Sequence, residues 1–223
     1  MFWKKNAFHY KLEDQIPFSI PLKDLNFTVL DTETTGFSVD KNDRLIEIGA
    51  VSIHHLEVSH SIFHTYVHPN REIPEPIVQL TGIHQEKIKD APPALDAIQS
   101  LFSFSEKQQT ACMVGHHVEF DLTVLKEELL RENYLFHQPV SMDTVDLIRI
   151  LYPTLEHRDL EQYALFFNTP IFERHTAIGD SLTTAYLFVE LLKQLQARGF
   201  KTWGDLIYAS DHYHRSVEYQ CYI

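Results

Sequence analysis

The chain has 223 residues, 44% of them hydrophobic and 22% charged, which suits one large folded domain or one domain with appendages. No apolar run is long enough to span a bilayer, and the start, MFWKKNAFHYKLEDQ, lacks the apolar core of a signal peptide. A formal net charge of −12, from 19 basic and 31 acidic side chains, argues against a broad electrostatic grip on nucleic acid, though not against a site that holds a few nucleotides with the help of bound cations.

Residues 1–25 show no clear periodicity, but Phe2, Trp3, Phe8 and Tyr10 make the segment too aromatic for a plain tail. It is expected to pack on the body as a helix or an arm. The run Phe27-Thr28-Val29-Leu30 then reads as a central strand, short and apolar. It ends in Asp31-Thr32-Glu33, followed by the hydroxyl-rich turn Thr34-Thr35-Gly36 and then Phe37. Positions i and i+2 share a face of a strand, so Asp31 and Glu33 are predicted to lie side by side. Two such carboxylates repel unless one takes a proton or a cation neutralises both, and hard divalent cations suit oxygen ligands. Arg44–Ile53 and Ser61–Val67 read as two further strands in an antiparallel meander. Glu47 lies among apolar neighbours and is open to two readings, a buried hydrogen-bonded acid near the site or an outward-facing strand residue.

A short helix is predicted over Gln85–Lys89, a break at Ala91-Pro92-Pro93, and a helix over 94–104. Thr81-Gly82-Ile83 also fits a helix C-cap with Gly82 left-handed. Thr110–Gly115 reads as a buried strand, with Cys112 packed as a small hydrophobe. His116-His117-Val118-Glu119-Phe120-Asp121 follows and leads into an apolar-periodic helix. Ser141-Met142-Asp143-Thr144 is expected to begin the next helix, which Pro153 ends, and a further helix is expected over 158–167. That helix holds Gln162-Tyr163-Ala164-Leu165-Phe166, a string similar to the short peptides that dock on bacterial sliding clamps. Leu160, Tyr163, Ala164 and Phe167 sit at helical spacing, so the string reads as core and not as a clamp ligand. His175-Thr176-Ala177-Ile178-Gly179-Asp180 opens a long helix that Arg198 and Gly199 stop. A short helix around 202–209 and an aromatic tail with Tyr213, Tyr219 and Tyr222 complete the chain. The two cysteines, Cys112 and Cys221, lie far apart; no disulfide framework is indicated and a reducing cytoplasm is the expected setting.

Three segments carry the chemistry: Asp31-Thr32-Glu33, His116 to Asp121, and His175 to Asp180. Together they resemble the motifs of the DEDDh 3′-to-5′ exonucleases, the family of the bacterial DNA polymerase III epsilon proofreading subunit, over roughly residues 26–197. The His-x4-Asp spacing matches that class, and Thr176 stands where the sister class has tyrosine. The second motif usually reads His-Asn-Ala-x-Phe-Asp; His116, Phe120 and Asp121 match it, while His117 and Val118 depart. Thr81-Gly82-Ile83 resembles the loop that closes over the terminal nucleotide, with Thr81 in place of a histidine.

The resemblance implies an RNase H-like α/β fold. A mixed five-stranded sheet, three antiparallel strands and then two parallel ones, is covered by helices on both faces. Residues 1–25 would form an N-terminal arm or appendage, 26–197 the exonuclease domain and 198–223 a C-terminal extension packed on it. The resemblance further implies two Mg2+ ions, replaceable by Mn2+, held by Asp31, Glu33, Asp121 and Asp180. His175 would be the general base, and Thr32, Thr34, Gly36, Phe37, Thr81 and His116 would bind the substrate. The implied reaction removes nucleoside 5′-monophosphates from the 3′ end of single-stranded DNA or frayed duplex, any polymerase partner acting in trans. Two other readings stand beside it: an RNA exonuclease similar to oligoribonuclease or RNase T, and a non-catalytic scaffold that keeps the fold. Oligomeric state is not indicated.

Overall fold

In the computed structural model, which describes residues 5–210, the central strand extends through both acids. A two-residue strand β1 (Asn6–Ala7) and a 3-10 turn (Leu22–Asp24) precede β2 (Phe27–Thr34), β3 (Leu45–His54) and β4 (Glu57–Tyr66). Helices α1 (Glu75–Thr81), α2 (Gln85–Ile88) and α3 (Ala94–Lys107) lead to β5 (Cys112–Gly115) and α4 (Val118–Arg131). Then come β6 (Tyr134–Leu135), β7 (Ser141–Asp143), α5 (Thr144–Leu151), α6 (Leu160–Phe166) and α7 (Ala177–Ala197), with a last helix α8 over 203–210.

The main sheet runs β4-β3-β2-β5-β7. β2 pairs antiparallel with β3, and β3 with β4; β5 lies parallel to β2, and β7 parallel to β5. This is the RNase H-like order of three antiparallel strands followed by two parallel ones. Alternation along β2 explains the layers. Phe27 and Val29 face a core built with Leu147, Ile148, Phe188 and Leu192 of α5 and α7. Leu30 faces the opposite core, with Ile98 and Leu101 of α3 and Leu122 and Leu125 of α4. Phe27 meets Phe188 edge to face at 5.0 Å between ring centroids, and burying a side chain of that size is worth about 1.5–3 kcal/mol.

One glycine fixes where α7 begins. Gly49 in β3 stands opposite Asp31 in β2, and a Cβ there would lie 2.3 Å from the carbonyl carbon and oxygen of Ala177. Only a residue without a side chain lets the first turn of α7 rest on the strand. Ser181 Oγ then donates to the Gly49 carbonyl at 2.9 Å. Thr176 caps the helix, its Oγ1 accepting from Gly179 N–H at 3.1 Å.

The expected helix start at Ser141 needs correction. Ser141–Asp143 is the fifth strand, and the helix begins one residue later. With three residues and only Met142 buried, the segment carries no periodicity of its own. β4 starts at Glu57, four residues before the predicted boundary at Ser61, because its outer face is solvated. In the N-terminal segment, β1 pairs with β6, and Phe8 packs among Phe102, Tyr134 and Phe136. Gly82 caps α1 with φ 67°, as expected, and Cys112 is buried without a disulfide. Leu160, Tyr163, Ala164 and Phe167 are buried. Phe2, Trp3, Tyr213, Tyr219, Tyr222 and Cys221 lie outside the described residues. Among the described residues, no helix is long and apolar enough to cross a membrane.

Candidate active site

Asp31 and Glu33 prolong the Phe27-Val29 stripe past the end of the hydrophobic core, on the face that carries α7. Asp180, in the first turn of α7, reaches them from above. Asp31, Glu33 and Asp180 present carboxylate oxygens that all lie within 4.8 Å of one another. Such crowding, together with burial, resists ionisation. Burial, and then Asp121, Asp180 and Glu33, hold the Asp31 carboxyl well above the usual range. Glu33 is pushed up to about 8, by burial first and then by Asp180 and Glu47. Asp180 is also raised by burial, against the opposing pull of Arg174.

Asp121 enters from the other layer of the sandwich. Its Oδ1 accepts from the Thr32 N–H at 2.8 Å and from Thr32 Oγ1 at 2.7 Å, and burial pushes its carboxyl up to about 7. It stands outside the three-carboxylate group but close enough to Asp31 to be its largest source of charge repulsion. In this structure both the Thr32 N–H and its hydroxyl, expected at the substrate, donate to Asp121.

The other expected substrate contacts divide. Thr34 Oγ1 donates to the Gly36 carbonyl and the Thr35 N–H to the Arg44 carbonyl, so these residues shape the turn. Thr81 Oγ1 donates to the Ile77 carbonyl and accepts from Ile83 N–H, a local capping arrangement. Phe37 is 84% exposed, with the Phe120 ring 6.0 Å away. His116 lines a cleft of about 390 Å³ together with Asp31, Arg174 and Asp180, a size within the range of small-ligand sites. Its Nδ1 lies 2.8 Å from Thr144 Oγ1 while its buried Nε2 has no protein partner. Burial, then the neighbouring His117, lowers it to about 3, so it is a neutral ring.

His175 sits on the loop just before α7, exposed and left-handed at φ 59°. Its backbone N–H points to Asp180 Oδ2 at 3.3 Å. Holding a non-glycine residue there costs about 1 kcal/mol or more and persists only where its surroundings enforce it. Two further residues hold this loop, Arg174 within it and Glu47 of β3 beneath its end. Arg174 forms an ion pair with Asp180, and its only signal in the sequence is its place immediately before His175. Glu47 is 1% exposed; its Oε2 accepts from Ala177 N–H at 2.8 Å and its Oε1 lies 2.6 Å from His64 Nε2. Of the two readings open for Glu47, the buried, hydrogen-bonded acid is the one observed. It ties β3 to the start of α7, two residues beyond His175.

Asp143 accepts from the N–H groups of His117, Val118 and Val145. One carboxylate thus caps α4 and α5 together at the strand ends.

The donor set is chemically selective. Three clustered carboxylates with no sulfur and no imidazole within the group match a hard divalent cation, and their raised proton affinities are what a bound cation relieves.

The chain matches the family model described as "Exonuclease" over residues 28–188. It is 35% identical over 190 residues to the DNA polymerase III subunit epsilon-like protein of Rhodobacter capsulatus, a match that covers 84% of this chain and 26% of that one. It is 32% identical over 187 residues to the 3′-5′ exonuclease DinG of Bacillus subtilis, covering 84% of this chain and 20% of the relative. The chain thus spans about a quarter or less of these relatives' own lengths. Among solved structures it resembles the nuclease domain of 3′hExo, a DEDDh family member bound to rAMP. The TM-score there is 0.67 at 15% identity, over 80% of this chain and 95% of that one.

Proposed function

The chain belongs to the exonuclease family, and we propose that it is a metal-dependent 3′-to-5′ exonuclease that releases nucleoside 5′-monophosphates. One observation carries the proposal: Asp31, Glu33 and Asp180 converge within 4.8 Å at the end of the central strand. Asp31, Glu33 and Asp180 would hold Mg2+ or Mn2+, with Asp121 contributing through water. Bound there, the ions would supply the positive charge that the phosphodiester needs and make a nearby water more acidic.

The chain's own groups would do the rest. His175, exposed on its loop, takes a proton from the attacking water, a task suited to an imidazole. The water oxygen bonds to phosphorus, the bond to the leaving 3′ oxygen breaks, and that oxygen takes a proton from solvent, leaving a 3′ hydroxyl on the shortened strand. Arg174 would exchange its partner Asp180 for a phosphate oxygen, with its guanidinium already in place. Phe37 would lie against the terminal base. Residues 26–197 would carry this site, with 5–25 and 198–210 packed around it.

DNA is the proposed substrate, on the strength of the epsilon-like relative, and association with a polymerase in trans fits the same relative. RNA is the second reading, favoured by the rAMP bound to the structural neighbour. Matched 5′-labelled single-stranded DNA and RNA oligomers, incubated in Mg2+, Mn2+ and chelator, test both. We expect a metal-dependent ladder that shortens from the 3′ end, faster on DNA, and no ladder with Asp31→Asn. Unchanged activity in Asp31→Asn, or shortening from the 5′ end, would overturn the assignment. Intact oligomers with folded wild-type protein would favour the scaffold reading.

A further inference from the structure

The cleft over the acid cluster does not end there. It continues past His157, Arg158 and Gln162 into a second cavity of about 540 Å³ that also takes in Leu165 and Phe166. The two share those first three residues, so they form one groove leading from Asp31 and Asp180 to the outer side of α6. Phe37, the candidate contact for the terminal base, does not line it.

The groove has an unusual lining for a chain of net charge −12. His117 stands 4.9 Å from His116 and 5.8 Å from His157, measured between ring centroids. Beyond them the Arg158 guanidinium lies over the Phe166 ring, 5.0 Å from its centroid. Two acids stand beside them: Glu156, exposed, lines the second cavity, and Asp159 is occupied as the α6 cap, its Oδ1 accepting from Gln162 N–H at 2.8 Å. Leu165 is 65% and Phe166 44% exposed, whereas Leu160, Tyr163 and Ala164 anchor the helix by its inner face. An exposed aromatic ring paired with an arginine is a surface on which a base stacks while its phosphate meets the guanidinium.

We infer that this groove is the subsite for the nucleotides just upstream of the scissile bond, with Arg158 binding a backbone phosphate and Phe166 stacking a base. The inference rests on the exonuclease reading and deepens it. It makes the enzyme selective for strands at least a few nucleotides long, irrespective of sequence, since every base has a face to stack. Leu165 and Phe166 of the clamp-like string thereby face substrate.

The test compares the p-nitrophenyl ester of thymidine 5′-monophosphate, which has nothing upstream, with dT2, dT4 and dT8 and their rU counterparts. In wild-type protein kcat/KM should rise with length until the groove is filled. Arg158→Ala and Phe166→Ala should each lose about tenfold on dT4 and dT8 and change less than twofold on the ester. Phe166→Trp should restore the length effect, and Arg158→Ala should reduce the salt dependence by about one phosphate contact. Anisotropy of labelled dT8 and rU8 in chelator reads the groove whether or not the strand is cut, and the same two variants should weaken it about tenfold. Equal losses on ester and oligomers, no loss at any length, or wild-type binding that neither variant alters would overturn the subsite. Failure of wild-type protein to cut ester and oligomers alike, with variant-sensitive binding retained, would overturn the catalytic reading and leave the groove standing.

Discussion

Replacing Glu33 with glutamine should make the metal-free protein more stable, by an amount that depends on pH. Glu33 has its carboxyl pushed from 4.5 to about 8, by burial and by Asp180 and Glu47. Between those values the unfolded chain has released the proton and the folded chain still holds it. The unfolded state then binds fewer protons, so stability falls as pH rises. The contribution is fully present below pH 4.5 and lost as pH climbs through about 8. Each pH unit in that window costs about 1.4 kcal/mol, which gives about 3 kcal/mol at pH 7 and somewhat less once the crowding shared with Asp180 is counted. Glutamine keeps the shape and never ionises. Urea unfolding in chelator from pH 5 to 8.5 should therefore show Glu33→Gln and wild type close together at pH 5 and separated by about 2–3 kcal/mol at pH 7. Adding Mg2+ or Mn2+ should narrow or close the gap at pH 7. Wild type would gain about 2.7 kcal/mol at a hundredfold excess over its dissociation constant, and the variant less. A gap that stays constant with pH, or a variant less stable than wild type at pH 8 in chelator, would refute the account of the carboxylate cluster.

The other predictions concern the scaffold that aims the acids. Glu47→Ala leaves the buried Ala177 N–H without its acceptor and should cost about 2–3 kcal/mol in urea unfolding; kcat should fall with it, since that amide lies two residues from His175, while Glu47→Gln should be milder on both. Gly49→Ala sets a Cβ 2.3 Å from the Ala177 backbone, so α7 must lift; thermal melts should show a loss of about 1–3 kcal/mol, and activity should drop at least tenfold as Asp180 is carried away. Glu128 is 2% exposed and accepts from Arg44 Nε and Nη2, from the Leu45 N–H and from Arg131 Nη1; Glu128→Ala should cost about 3–5 kcal/mol at every pH from 6 to 8, without altering the pH-dependent gap of the Glu33 variant.

Much of the fold was legible because its central elements announce themselves locally. Phe27 to Leu30 is apolar enough to be read as a buried strand, and the pleat alone places Asp31 beside Glu33. The run from Ala177 to Ala197 has both a cap and a stop signal. The parts that escaped are those whose character is decided by a partner far away in sequence. Ser141–Asp143 is a strand only because β5 offers an edge, and the form of the expected packing of Phe8, beside a strand pair, is set by Tyr134 and Phe136. Within the site the same division holds. The acids that would hold metal sit in compact motifs, whereas the role of Glu47 depends on the register that brings β3 under the first turn of α7.

Thr32 shows why motif residues do not all share one task. Its neighbours Asp31 and Glu33 face α7, so Thr32 must face the opposite layer, where Asp121 waits. The Thr32 amide and hydroxyl both donate to Asp121, which joins the two layers at the point where the charges meet. Arg174 completes that junction from the loop side. A site assembled from three distant segments has to hold four mutually repelling carboxylates before any cation arrives. The hydrogen bonds to Asp121, the ion pair to Asp180 and the close approach at Gly49 do this. A single substitution in that supporting set should therefore disturb catalysis while leaving every carboxylate in the chain.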